Sequence, residues 1–186
     1  MSDQGRPYHH GNLRRALLDS ALELINERGP ARLSLREVAR RAGVSHAAPI
    51  HHFKDKTGLL TAIAAQGWSM LAAALTDTAA RSSELAELGV SYVVFATTHP
   101  AHFAVMRSPG LVLADDQDLT TARDQARVPL LRGAAQQAGT PAEPGMVLAA
   151  WSLVHGLAVL LQEGLVVPEP GQDAASLARA ITGRLR

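Results

Sequence analysis

Apolar residues recur every third and fourth position along almost the whole chain and alternate at every second position nowhere. Leu13, Ala16, Leu17, Ala21, Leu24 and Ile25 share one face of a helix on this spacing, and Gly29-Pro30 ends it. No run of β-branched residues bounded by Asn-Gly or Asp-Gly turns offers a strand or hairpin. The fold class that follows is all-α, with about nine helices. After the first two helices and one more short one, they are expected at 57–80, 84–98, 100–107, 117–138, 143–164 and 173–185. The 108–116 stretch reads as loop.

The punctuation between the first helix and residue 57 is the most specific part. Ser34-Leu35-Arg36-Glu37 has the spacing of a capping box, in which the serine oxygen accepts from the Glu37 amide and the carboxylate returns to the Ser34 amide. Gly43 falls where a left-handed residue closes that helix, and Ser45 stands as N-cap of the next. Helix, glycine turn and second helix, with small Ala39 at the crossing, make a helix-turn-helix. Pro49 then lies in the first turn of the second helix, where its missing N–H removes one bond to the Ser45 carbonyl.

A helix that enters a major groove works through its N-terminal end. His46, Ala47 and Ala48 suit that use, a polar reader followed by two residues of almost no bulk, and alanines can touch thymine methyls. His51, His52, Lys54 and Lys56 extend the basic edge along the backbone. Charge agrees. Residues 1–67 carry ten basic against six acidic residues, the remainder eight against eleven, so the anionic partner belongs to the first third.

Residues 8–67, from "YHHGNLRRALLDSALELINERG" through "SLREVARRAGVSHAAPIHHFKDKTGLL", resemble the DNA-binding domain of the tetracycline-repressor-like (TetR/AcrR) family. The order and spacing of "EVARRAGVS", "HHF" and "KTGLL" carry the likeness. The resemblance implies a homodimer on a palindromic double-stranded operator, an N-terminal DNA-binding domain at 1–56 and an effector-binding and dimerisation domain at 57–186. It implies that Ser34, His52 and Lys56 contact phosphate and that Ser45, His46, Ala47 and Ala48 read bases. The sequence departs from the family at Ile50, where a phosphate-bonding tyrosine is usual. Isoleucine cannot make that bond, at a loss of about 1 kcal/mol unless His51 substitutes.

Further along, "AWSLVHGLA" has the Trp-x-x-x-His-Gly of a C-terminal domain type found in one branch of the family. Trp151 and His155 lie four apart on one helical face, and Met70, Phe95, His99, Phe103 and Met106 occupy spacings that can wall a cavity for a small-molecule effector. Such residues are equally core formers. The helix at 143–164, apolar nearly all round, pairs with that at 173–185 (Leu177, Ala178, Ile181, Leu185) in an expected four-helix dimer interface.

Cysteine is absent, which removes thiolate chemistry and cysteine-based zinc. Adjacent histidines (His9-His10, His51-His52) point about 100° apart on a helix and chelate one ion poorly, while Pro100 separates His99 from His102. No phosphate loop or nucleophile elbow is present. No cofactor, metal or catalytic residue is therefore expected. The alternative is a small helical enzyme or metal-binding protein using the C-terminal His/aromatic cavity. The N-terminus lacks a signal-peptide core, and the longest apolar run falls short of the ~20 residues that cross a bilayer, so a cytoplasmic protein without membrane contact is expected.

Overall fold

The computed structural model describes residues 10–82, 84–138 and 144–184, with the side chains of 10–12, 138 and 144 left aside. Nine α-helices and no strand occur among the described residues: α1 His10–Arg28, α2 Leu35–Arg41, α3 Ala47–Phe53, α4 Lys56–Arg81, α5 Leu85–Thr98, α6 Pro100–Met106, α7 Gln117–Ala138, α8 Pro144–Gln162 and α9 Ala174–Thr182. Each expected helix is present, with ends displaced by a few residues. Leu185 and the His9 of the first histidine pair lie outside the described residues.

Helices α1 to α3 fold over Leu17, Ala21, Leu24, Ile25, Leu33, Val38 and Phe53. This core does not close on itself. Leu59, Leu60, Ile63 and Ala64 of α4, Ala101 and Val105 of α6 and Leu119 of α7 all join it. A second core lies beyond, built from Leu71 and Leu75 of α4 with Leu88, Tyr92 and Val93 of α5, Phe103 of α6 and Val154 and Leu157 of α8. Helix α4 thus runs through both cores. Gly67 lets α6 approach it, since a Cβ there would meet Met106 Sδ at 2.6 Å and His102 Cβ at 3.1 Å.

The turn before α3 forms as the glycine requires, whereas both expected side-chain caps fail. Gly43 takes φ +67, and its N–H reaches Arg40 O at 3.3 Å while that of Val44 reaches Ala39 O at 3.0 Å. That is a Schellman closure of α2. Ser34 is the α2 N-cap but its hydroxyl makes no cap bond, and the Glu37 carboxylate accepts from Arg28 of α1 at 2.6 Å instead of returning to the Ser34 amide. An ion pair between helices has replaced the capping box. Ser45 does not cap α3 either; the helix starts at Ala47, with His46 already in helical conformation. The Ser45 carbonyl that Pro49 leaves unbonded accepts from Ala48 N at 3.0 Å, so the first turn tightens and the proline leaves no orphan there.

The passage from α3 into α4 is the most constrained part of the backbone. Lys54 has φ 67 and ψ −59, and Asp55 N bonds Phe53 O at 2.8 Å across it, a γ-turn of the strained positive-φ form. Asp55 then caps α4 by accepting from Gly58 N at 2.8 Å. That cap seats Gly58 so tightly on Phe53 that any Cβ would overlap the Phe53 carbonyl oxygen.

By length and composition alone, α4 and residues Gly145–Gln162 of α8 are apolar enough to cross a membrane, a test that buried core helices also pass. Half of the α4 window is buried inside the fold, whereas only 17% of the α8 window is.

Gly58→Ala forces backbone apart and is expected to lower the unfolding free energy by about 1–3 kcal/mol in urea titration. Lys54→Gly relieves the positive φ and is expected to raise it by about 1 kcal/mol. Equal stabilities for the two variants would contradict the joint as described.

Candidate nucleic-acid interface and ligand cavity

Helix α3 has two distinct faces. Pro49 and Phe53 are buried, and Phe53 carries the Arg14 guanidinium 5.2 Å above its ring. Outward lie His46, Ala47, Ile50, His51 and Lys54, all exposed and one turn apart or less, with Ser45 exposed just before them. Ala48 and His52 sit half-buried at the edge. Of the expected phosphate contacts, Ser34 is half-buried at the start of α2, and Lys56, also half-buried, donates from Nζ to Ala31 O at 2.6 Å. One of its three ammonium protons is so engaged, leaving two for a phosphate.

The charge on this surface is positive because its acids are used elsewhere. Glu27 and Glu23 pair with Arg41, Glu37 with Arg28 and Asp19 with Arg15, and Asp55 caps α4. The hydrogen bond and charge of Arg41 hold the Glu27 carboxyl below the usual range. Among the described residues, Arg32, Arg36, Arg40 and Lys54 have no acidic partner, and all four are exposed. The exposed α2 arginines were not singled out from sequence, although their i,i+4 spacing placed them on one face.

In the second core a cavity of about 710 Å³ opens between α5, α7, α8 and α9. Apolar walls from Leu85, Leu130, Met146, Val147, Ala150 and Val154 surround few polar groups, and Glu84 is the one formally charged side chain among the described lining residues. At one wall Tyr92 Oη lies 2.9 Å from His155 Nδ1 and accepts from Trp151 Nε1 at 3.4 Å. Burial pushes the Tyr92 hydroxyl up to about 12, so it stays protonated and shares a hydrogen bond with the His155 imidazole.

Trp151, 42% exposed, is the only one of the seven expected ligand residues in this lining, and His155 reaches it through Tyr92. Phe95, Phe103 and Met106 lie in the second core, with Phe103 1% exposed and its ring centroid 5.5 Å from that of His155. The break at His99-Pro100 turns α6 so that Met106 meets Gly67 of α4. His99 stacks on Phe95 and Met70 packs half-buried at the rim of the core. Tyr92 was missed. A tyrosine in an apolar helix must find a partner for its hydroxyl, which was a usable signal.

Burial depresses the pKa of both His102 and His155, helped by His99 and Arg107 respectively. The folded chain therefore binds fewer protons than the unfolded one below about pH 6.5, the ordinary histidine value. Their stability contribution is complete above that pH and fades as pH falls through the folded values. The melting temperature should drop between pH 7 and pH 5. A His102→Gln/His155→Gln variant should show a shallower drop, and an identical slope would contradict the assignment.

Comparison with known proteins agrees with this geometry. Residues 17–63 match the description "Bacterial regulatory proteins, tetR family", and residues 85–184 match "Tetracyclin repressor-like, C-terminal domain". The chain is 51% identical over 49 residues to the HTH-type transcriptional regulator BetI of Escherichia coli (strain K12 / DH10B), a match spanning 26% of this chain and 25% of BetI. Over its whole length it is similar to a protein with unknown function from Rhodococcus sp. RHA1, with 34% identity, TM-score 0.78 and 97% of each chain covered. The TetR family regulator PfmR of Thermus thermophilus shares the fold at 20% identity, TM-score 0.70, with 91% of this chain and 96% of PfmR covered.

Proposed function

The chain belongs to the tetR family of bacterial regulatory proteins, and on that premise we propose that it is a cytoplasmic repressor that holds a palindromic operator with the α3 helices of two copies. The observation that carries this reading is the pairing pattern of the first three helices. Their acids are spent on internal contacts while Arg32, Arg36, Arg40 and Lys54 remain exposed, together with an α3 face on which His46, Ala47 and His51 surround one apolar side chain, Ile50. Such a surface suits phosphate on both sides of a groove and base edges between.

Helix α8 supports the dimer. Leu148 and Leu160 are 57% and 39% exposed, and around Gly145 and Gly156 an added Cβ would meet nothing within 4 Å. An apolar face with small residues along it invites a second helix at close range, and a two-fold pair of α8 and α9 gives a self-complementary bundle. Leu148→Glu leaves the single chain intact and is expected to weaken dimerisation at least about a hundredfold, by placing an unpaired carboxylate in the contact. Sedimentation velocity reads this; an unaltered dimer would place the interface elsewhere.

The cavity between α5, α7, α8 and α9 suits an effector that is largely apolar and uncharged, with one polar group for Tyr92 or a glutamine amide of α7. Release from DNA then follows by population shift. An effector that prefers the non-binding arrangement by about 2.7 kcal/mol lowers operator affinity a hundredfold. The route runs through α7, which lines the cavity and packs along α4, and through α4 to its joint with α3.

Fluorescence anisotropy against duplex fragments tests the DNA reading. Wild type should bind a selected inverted repeat with steep salt dependence, and Lys56→Ala should reduce the salt slope by about one on every sequence. His46→Ala should shift sequence preference while leaving the slope. Salt-insensitive binding, or equal effects of both variants on all sequences, would overturn it.

A further inference from the structure

Ile50 is the one large apolar side chain of α1 to α3 that stands out in solvent among the described residues, 56% exposed. It does nothing for the fold, since Pro49 and Phe53 supply the buried face of α3 and Ile50 points away from both. It gives the helix no local advantage either, because a β-branched residue is a weaker helix former than the straight-chain residues that could stand there. A single exposed isoleucine is ordinary on a protein surface. What distinguishes this one is its position. Ala47, one turn before, presents a single methyl, so the helix can come close to whatever it meets, while His46, His51 and Lys54 flank it on the same face.

Phosphate cannot be the target of an aliphatic side chain, which would sit against the most hydrated part of the duplex with no bond to offer. The floor of the major groove does hold an apolar group. Thymine projects its C5-methyl there, and neither guanine, adenine nor unmodified cytosine has an equivalent. We infer that Ile50 reads a thymine in each operator half-site by packing on its C5-methyl, making it a specificity-determining residue. This rests on the DNA-binding reading above and adds a base contact beyond Ser45, His46, Ala47 and Ala48. At this position the chain uses methyl recognition, which depends on sequence, where a hydroxyl bonded to phosphate would not.

Replacing single thymines by deoxyuridine removes the methyl and nothing else. Duplexes selected from a random pool by the full-length protein are resynthesised with one thymine at a time converted to deoxyuridine, and dissociation constants are measured for wild type and Ile50→Ala. At one thymine per half-site, conversion should weaken wild type about three- to fivefold, the worth of burying one methyl. Ile50→Ala should bind the thymine and uracil duplexes alike, about as weakly as wild type binds the uracil one. Because Ile50 lies outside the core, the variant keeps the wild-type melting temperature and salt slope, which shows that it still folds and docks.

Conversion that weakens both proteins equally at every thymine, or weakens neither at any, overturns the inference. So does a selected half-site lacking thymine on either strand. In each of these cases the protein still selects a sequence, so the DNA-binding reading stands. Failure to select any sequence removes that reading, and Ile50's role with it.

Discussion

The seating of Gly58 on the Phe53 carbonyl fixes how the exposed helix is held. Helix α3 is seven residues long, too short to keep a direction by its own hydrogen bonds. Its direction is imposed from its C-terminal end. The γ-turn at Lys54 reverses the chain within three residues, Asp55 caps α4, and the glycine closes the gap between the two helices. Strain at Lys54 persists because the surrounding contacts leave the backbone no alternative. The buried face of α3, Pro49 and Phe53 with Arg14 over the ring, completes the clamp.

What is clamped to α4 is clamped to the rest of the molecule. Ala101, Val105 and Leu119 belong to the same core as Phe53, so α6 and α7 press on the base of α4 directly. Thr61 of α4 accepts from Leu113 N at 2.9 Å, tying the segment before α7 to the same turn of helix. Helix α7 lines the cavity and packs along α4, and α4 in turn packs on α3. A dense core of this kind moves by whole-helix displacement and not by local yielding.

Much of this was legible in the chain itself. Apolar spacing marked every helix, and Gly43 announced the left-handed closure of α2 because few other residues tolerate φ +67. Local rules failed where a distant group competed. Glu37 had the right spacing from Ser34, but Arg28 lay closer to its carboxylate. The break at His99-Pro100 was visible, yet it could not say that α6 would seat Phe103 and Met106 in the second core. The partner of Tyr92, His155, is 63 residues away, and no pattern within a helix carries that pairing. The outward position of Ile50 was legible only through the family resemblance, which puts a phosphate-contacting residue there, because an isoleucine in a short amphipathic segment otherwise reads as core.

Hydroxyl-radical footprinting of a selected duplex with the full-length protein asks whether two clamped copies of α3 meet one DNA molecule. Two protected patches should appear on one face of the duplex, their centres about 34–36 Å or a whole multiple of that apart, with matching inverted sequence in each. A single continuous patch, or two patches on opposite faces, would mean that no symmetric pair presents this helix.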